Sequence, residues 1–161
     1  MSKFADFCAE YFHNYFELHP TDAIYYGIDG YDHLLNDYSD SAYQTQTAFI
    51  EESLNKLRQI PVAELDSDAA IDYALLEGRL TLQRYEHAKE DYRLKWPDTY
   101  LPTDAIYILT VRATKDFSGN LLSRLNRIPQ VIQQGIANLS RPEPIRQNSG
   151  PKWPSRARKA A

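Results

Sequence analysis

The stretch Asp66–Arg93 constrains the fold most, because it contains no proline and a single glycine and can form one long helix. On a helical wheel its apolar residues form two stripes on opposite faces. One stripe consists of Ala69, Tyr73, Leu76 and Leu80, and the other of Ile71, Leu75, Leu82, Tyr85 and Tyr92. A helix with two apolar faces is typically buried between neighbouring layers. We therefore expect a helical domain built around a buried central helix.

The rest of the chain also shows helical periodicity, with prolines and glycines at the predicted helix ends. The run Ile106–Val111 is also compatible with a strand, but no partner strand is apparent, so a helix is the better interpretation. The predicted helices cover about 2–18, 20–26, 41–59, 66–94, 102–112 and 116–127, and a last helix begins at Pro129. The sequence predicts an all-α bundle of six or seven helices at 1–141, followed by an irregular basic tail at 142–161.

The distribution of charge bears on the class of partner. All 22 acidic residues lie at or before Glu143, and the five residues with basic side chains beyond it are Arg146, Lys152, Arg156, Arg158 and Lys159. The net charge of −4 argues against nucleic-acid binding through the whole surface. No stretch approaches ~18 apolar residues, and Asp6 and Glu10 interrupt any apolar signal core at the N-terminus. We expect a cytoplasmic protein that binds neither nucleic acid nor membrane.

The chemistry-bearing residues form no recognisable catalytic pattern. Four histidines are present, but none forms the H-E-x-x-H arrangement that holds zinc on one helix face. Glu10 and His13 fit a Glu-x-x-His element, yet a di-iron bundle needs a second copy, and the chain has none. Cys8 is the single cysteine and lies in a helical apolar stripe, where a buried thiol is expected. We predict no catalytic residue, no metal and no cofactor, and rank an independent metalloenzyme last.

The loop G-I-D-G-Y-D-H, residues 27–33, is the densest patch of polar and aromatic residues. Loops carry a disproportionate share of binding residues, so Tyr31, Asp32 and His33 are the candidates for contact with a ligand or partner. The alternative is a structural turn that anchors the second helix to the third.

Four stretches in the same order and spacing resemble one family. They are Y-F-E-L-H-P-T-D-A-I-Y-Y-G-I-D-G-Y-D-H-L-L-N-D-Y-S, I-D-Y-A-L-L-E-G-R-L, W-P-D-T-Y-L, and L-L-S-R-L-N-R-I-P-Q-V-I-Q-Q-G-I-A-N-L. Together they resemble the N-terminal part of the bacterial DUF885 family, over roughly Phe4 to Leu139. The resemblance implies a mostly helical fold. It also implies that the later half of a full-length member resembles thermolysin-like and oligopeptidase-like zinc peptidases.

In that family the zinc ligands and the catalytic glutamate lie in a continuation that this sequence does not resemble. No catalytic residue of the family therefore maps onto this chain. The resemblance leads us to expect a truncated, frameshifted or separately encoded N-terminal half that acts as a non-catalytic module beside a catalytic half. The alternative is a stand-alone interaction module that self-associates or binds a protein partner.

The same resemblance predicts an apolar surface that the catalytic half would cover. The residues expected to be exposed lie on the last two predicted helices and are Leu121, Leu122, Ile132 and Ile136. The partner would be either a second copy, giving a homodimer, or the separately encoded catalytic half.

Overall fold

A computed structural model describes residues 3–112 and 114–141 of the chain. This part contains six α-helices and short 3-10 turns at Val62–Glu64, Tyr92–Leu94 and Pro97–Tyr100, with no β-strand among the described residues. The helices are α1 (Lys3–Leu18), α2 (Pro20–Tyr26), α3 (Asp40–Leu57), α4 (Ser67–Lys89), α5 (Thr103–Val111) and α6 (Phe117–Leu139). The prediction of an all-α bundle of six or seven helices is confirmed. The predicted tail at 142–161 lies outside the described residues.

Local capping explains where several helices begin and end. The Ser39 hydroxyl and the carboxylates of Asp66 and Asp116 each accept a hydrogen bond from the backbone N–H three residues later, at 3.2, 2.8 and 3.0 Å. These contacts satisfy N–H groups that would otherwise lack a partner in the first turns of α3, α4 and α6. Helix α2 starts at Pro20 and ends at Tyr26, and the capping Gly27 has a φ of 84°, in the left-handed region that favours glycine.

Two apolar clusters form the interior. In the first, α3 packs against both α1 and α4, and Leu54, Leu57 and Leu80 are fully buried. The other buried members of this cluster are Phe4, Tyr11, Ile50 and Tyr73. The second cluster joins α5 and α6 to the preceding loops, through Leu35, Tyr100, Ala105 and Val131. The first cluster therefore fixes α4 against α1 and α3, which is the arrangement that creates the groove described below.

The outer face of α4 is not covered by any element of the described chain. Its apolar residues are 59%, 67%, 49% and 61% exposed, in the order Ile71, Leu75, Leu82 and Tyr85. The expectation that α4 is buried on both faces is therefore wrong. Periodicity identifies both apolar stripes correctly, but it cannot say whether the chain itself supplies a neighbour for each.

Two predicted helix boundaries also differ. Helix α4 ends at Lys89 rather than near Leu94, because the Asp91 carboxylate accepts a 3.0 Å hydrogen bond from the Arg93 N–H and starts a 3-10 turn. The predicted break before Pro129 is absent, and α6 runs through it as one helix. Pro129 is exposed, while buried residues on both sides of it hold the two halves of α6 against the same core.

Candidate functional site

A concave groove lies between α4 and the N-terminal helices α1 and α2. It has an apolar part of about 780 Å³ and a polar part of about 590 Å³. Tyr15 and Arg79 line both parts, so the two adjoin. The aromatic residues of α1 dominate the apolar part, and the polar part is bordered by α4 and the turn that follows it. Cavities of this size with a few convergent polar groups are typical of ligand sites.

One wall of the polar part is built by the junction of α1 and α2. The Tyr15 hydroxyl donates a 2.7 Å hydrogen bond to the Asp22 carboxylate, and its ring centroid lies 4.6 Å from that of His19. Burial, together with the hydrogen bond to Asp22, raises the pKa of Tyr15 well above its ordinary value. Burial lowers the pKa of His19 by more than the negative charge of Asp22 raises it, and Arg79 adds a smaller lowering effect. At neutral pH this wall therefore presents a protonated phenol and a neutral imidazole.

The opposite wall carries a second histidine with a fixed orientation. His87 stacks on the Tyr43 ring at 4.7 Å with an interplanar angle of 8°. Its Nδ1 lies 3.1 Å from the Thr47 hydroxyl. Burial lowers the pKa of His87, and burial raises the pKa of Tyr43 to about 12. This imidazole is also neutral at pH 7, and its Nδ1 is engaged by the hydroxyl of Thr47.

Two polar side chains of α4, Arg79 and Gln83, line the polar part of the groove. Gln83 Oε1 is buried and has no hydrogen-bond partner among the described residues. The exposed Arg79 side chain makes no salt bridge within the described part of the chain. Arg79, Gln83 and His87 are spaced four residues apart and so lie along one row of the helix. The groove therefore presents a cation and an amide side chain beside aromatic rings, which suits recognition of a polypeptide segment.

The groove shows no grouping that would support metal chemistry. No set of three or more His, Cys, Asp or Glu side chains in the described residues is placed to hold a metal ion. The free thiol of Cys8 lies in the wall of the apolar part. Burial, and then the charge of Asp72, raises the pKa of Cys8, so the less nucleophilic thiol form dominates at neutral pH.

The loop residues predicted as candidates lie outside this groove. The Tyr31 hydroxyl donates a 3.1 Å hydrogen bond to Glu17, Asp32 is half-buried and His33 is exposed. Burial lowers the pKa of Arg124, and the negative charge of Asp32 opposes this effect. The loop thus helps to anchor the bundle, and its contact with a ligand stays a prediction.

A separate cluster of polar contacts surrounds Arg93, which is buried at 3% exposed. Its guanidinium donates to both oxygens of Asp91 at 3.0 and 2.7 Å, to Asp40 at 3.0 Å and to the Tyr38 carbonyl at 3.0 Å. It also lies 4.2 Å from the Tyr43 ring centroid. Burial acts to lower the pKa of Arg93, but the bonds to the two aspartates outweigh it and raise that pKa. Because all these contacts are internal, Arg93 is a structural centre and not a binding group.

The groove residues were missed at the level of sequence. Their only sequence signal is the spacing of Arg79, Gln83 and His87 along one row of α4. The partners across the groove, Tyr15 and His19, come from a helix end far away in sequence, and only the packing of α1 against α3 and α4 brings them near. His19 and His87 lack the sequence spacing of metal ligands, so their positions gave no indication that they would line the same groove.

Comparison with known proteins gives one positive result. A family model described as "Bacterial protein of unknown function (DUF885)" matches residues 20–148. No curated protein and no solved structure matches the chain. None of the helices in the described residues is long and apolar enough to cross a membrane.

Proposed function

Because the chain belongs to the bacterial DUF885 family, we propose that it is a non-catalytic, N-terminal helical module of a zinc-peptidase-like protein. In this role it packs beside a catalytic half that carries an H-E-x-x-H helix, and it forms part of the wall of the substrate cleft. We further propose that the assembly acts in the cytoplasm, where the free thiol of Cys8 suits a reducing compartment.

The observation that carries this proposal is an apolar face of α6 that is exposed among the described residues. Leu122, Leu125, Ile132 and Ile136 are 59%, 45%, 36% and 62% exposed. The sequence led us to expect Leu122, Ile132 and Ile136 at the surface. It also predicted an exposed Leu121, which is instead half-buried. Soluble proteins seldom leave contiguous apolar patches beyond a few hundred Å² uncovered, and such patches mark sites of association. A helical partner that covers this face would bury it.

The groove supports the second part of the proposal, a role in forming a peptide-binding cleft. A peptide presents N–H donors and carbonyl acceptors along its backbone. Arg79 lines the groove and is placed to contact carbonyls or a carboxylate. The Gln83 side chain lines it beside Arg79, with its buried Oε1 unpaired in the described chain. The rings of Tyr15, Tyr85 and Trp96 add apolar surface around these groups.

The test is reconstitution with a separately produced H-E-x-x-H half of a zinc-peptidase-like family member. We expect a stable one-to-one complex by size-exclusion chromatography with light scattering. The double variant Leu122→Glu, Ile136→Glu should abolish it, whereas Lys115→Gln should not, since that side chain is 95% exposed and lies in the loop before α6. Failure of the wild-type chain to bind, under conditions where both parts are folded, would refute the proposal.

The second candidate function is a stand-alone module that self-associates. The same α6 face favours it, because an exposed apolar helix face can pair with its own copy. A wild-type homodimer that persists in the presence of the catalytic half would support this alternative and exclude the first.

A further inference from the structure

The exposed face of α4 carries a regularly spaced stripe of mostly apolar residues. Its residues recur at alternating intervals of four and three, which is the spacing of a coiled-coil seam. The seam consists of Ile71, Leu75, Gly78, Leu82 and Tyr85. The opposite face of the same helix carries the buried Tyr73 and Leu80. The outer seam is therefore separate from the packing that holds α4 in the bundle.

Gly78 at the centre of the seam is not required by the fold. A Cβ added there would meet nothing within 4 Å in the described structure, and glycine in a helix interior costs about 1 kcal/mol relative to alanine. The backbone of Gly78 is in ordinary helical conformation, because only Gly27 and Gly30 have positive φ among the described residues. What Gly78 does provide is a gap between Leu75 and Leu82 into which a side chain of a second helix can pack.

One flank of the seam is charged in a symmetric order. Asp72, Arg79 and Glu86 follow one another at seven-residue intervals, giving acidic, basic and acidic positions along the same edge. All three are exposed, and none makes a salt bridge within the described chain. The other flank consists of the small residues Ala74, Thr81 and Ala88.

This charge order decides between two occupants. In a two-fold antiparallel pair of α4 helices centred on Gly78, Arg79 would face Arg79 of the other copy, and Asp72 would face Glu86. Such like-charge pairs disfavour antiparallel self-association through this face. In a parallel pair the charged flank would face Ala74, Thr81 and Ala88 of the other copy, which offer no complementary charge. A helix with basic, acidic and basic residues at the same intervals would complement the flank. Because the acidic–basic–acidic order reads the same in both directions, it would do so whether it ran parallel or antiparallel to α4.

We propose that the outer face of α4 docks a single amphipathic α-helix of another polypeptide, with an apolar heptad seam flanked by basic, acidic and basic residues. The two helices cross at about 20°, with a side chain of the partner over Gly78. Leu75 and Arg79 also line the groove, so the docked helix borders the groove along its length. This inference deepens the proposed function, and rests on it in taking α4 to be covered within a larger assembly.

The test uses two fluorescent helical peptides of three heptads, at concentrations where each is monomeric. They share leucines in the seam and differ only in the flank, which reads Lys-Glu-Lys in one and Glu-Lys-Glu in the other. We expect the full chain to bind the first at least tenfold more tightly by fluorescence anisotropy. The triple variant Asp72→Lys, Arg79→Glu, Glu86→Lys should reverse the preference. Equal binding of the two peptides, or no binding, would overturn the proposal.

Gly78→Leu separates docking from folding. The substitution fills the gap in the seam while replacing glycine with a better helix former, so the thermal midpoint should stay the same or rise. We expect peptide affinity to fall at least tenfold. Tyr107→Glu on α5 is the matched control, since Tyr107 is 63% exposed and lies outside both proposed binding faces, and its affinity for the peptide should not change. Loss of binding in the α5 variant, or unchanged binding in Gly78→Leu, would contradict an α4 docking site.

The two experiments fail independently. If the catalytic half binds the chain but neither peptide does, the assignment of a helix to α4 is wrong and the proposed function stands. If the Lys-Glu-Lys peptide binds and the catalytic half does not, the docking site stands and the proposed function is wrong.

Discussion

Replacing Arg93 with methionine tests the network that joins the two apolar clusters. The guanidinium contacts Asp40 at the start of α3 and Asp91 after α4, while the Arg93 carbonyl accepts a 2.7 Å hydrogen bond from Tyr100 in the second cluster. Asn138 of α6 donates to the same Tyr38 carbonyl as Arg93, at 2.9 Å. Methionine keeps an unbranched side chain of similar length but removes every charged contact.

The expected loss follows from what remains unpaired. Removing one partner of a buried ion pair costs about 3–5 kcal/mol, because the other charge stays behind. Asp91 is 21% exposed and Asp40 is 52% exposed, and Asp40 keeps a two-bond contact to Arg141 at 2.7 and 2.9 Å. Water and Arg141 therefore relieve part of the penalty. We expect the free energy of unfolding to fall by about 3 kcal/mol, the lower end of that range.

Urea unfolding followed by tryptophan fluorescence measures this change. Arg84→Met is the control, since Arg84 is 40% exposed and lies 4.0 Å from Glu51, and such surface pairs contribute about 0–1 kcal/mol. Arg93→Lys should recover only a minor part of the loss, because an ammonium cannot make the paired contacts to Asp91. We expect a loss of about 3 kcal/mol, so a free energy of unfolding for Arg93→Met within about 0.5 kcal/mol of wild type would refute the structural role of Arg93.

Four further predictions follow from the structure. Leu80 is fully buried and Leu82 is 49% exposed, so Leu80→Ala should cost ~2–5 kcal/mol and Leu82→Ala under ~1 kcal/mol in chemical denaturation; similar costs would contradict the assignment of faces. Burial lowers the pKa of His19 and His87 in the folded state. Because the unfolded chain therefore binds more protons, stability should fall as the pH drops below their ordinary pKa of 6.5, and a double glutamine variant should flatten that slope in pH-dependent urea titrations. Light scattering of the chain alone should show association that increases with concentration, which Ile136→Glu reduces; a strict monomer would count against an uncovered α6 face. Metal analysis and peptidase assays of the chain alone should find neither stoichiometric zinc nor chelator-sensitive cleavage.

Helix positions were predictable from sequence because their signals are local. The proline at the start of α2 and the aspartate cap of α4 act within a turn, and the structure follows them. The predicted break at Pro129 is wrong because the proline weakens the helix only locally, whereas the packing that offsets this involves residues distant in sequence. Val131 and Gly135 after the proline, like Arg124 before it, are buried, and a Cβ at Gly135 would lie 2.6 Å from the Tyr100 ring. This close packing holds α6 continuous.

The candidate site was less predictable than the fold. Spacing alone places Arg79 and His87 on one row of α4, but it says nothing of Tyr15 or His19 on the other side of the groove. Periodicity identified the second apolar stripe of α4 but could not reveal that the described residues leave it exposed, because burial depends on whether a neighbour is present. The sequence predicted that this stripe would lie in the core of the domain. It is instead an exposed surface, which we propose another polypeptide covers.

The most direct test of the account is hydroxyl-radical footprinting of the chain alone and after addition of the H-E-x-x-H half. The method reports the exposure of individual side chains. At a concentration where light scattering shows the chain alone to be monomeric, Leu75, Tyr85 and Ile136 should be modified rapidly in the free chain and strongly protected in the mixture. Tyr107 on α5, which is 63% exposed, serves as the reference and should react equally in both. Protection of the α4 and α6 residues in the free chain, or unchanged modification after the half is added, would contradict the account.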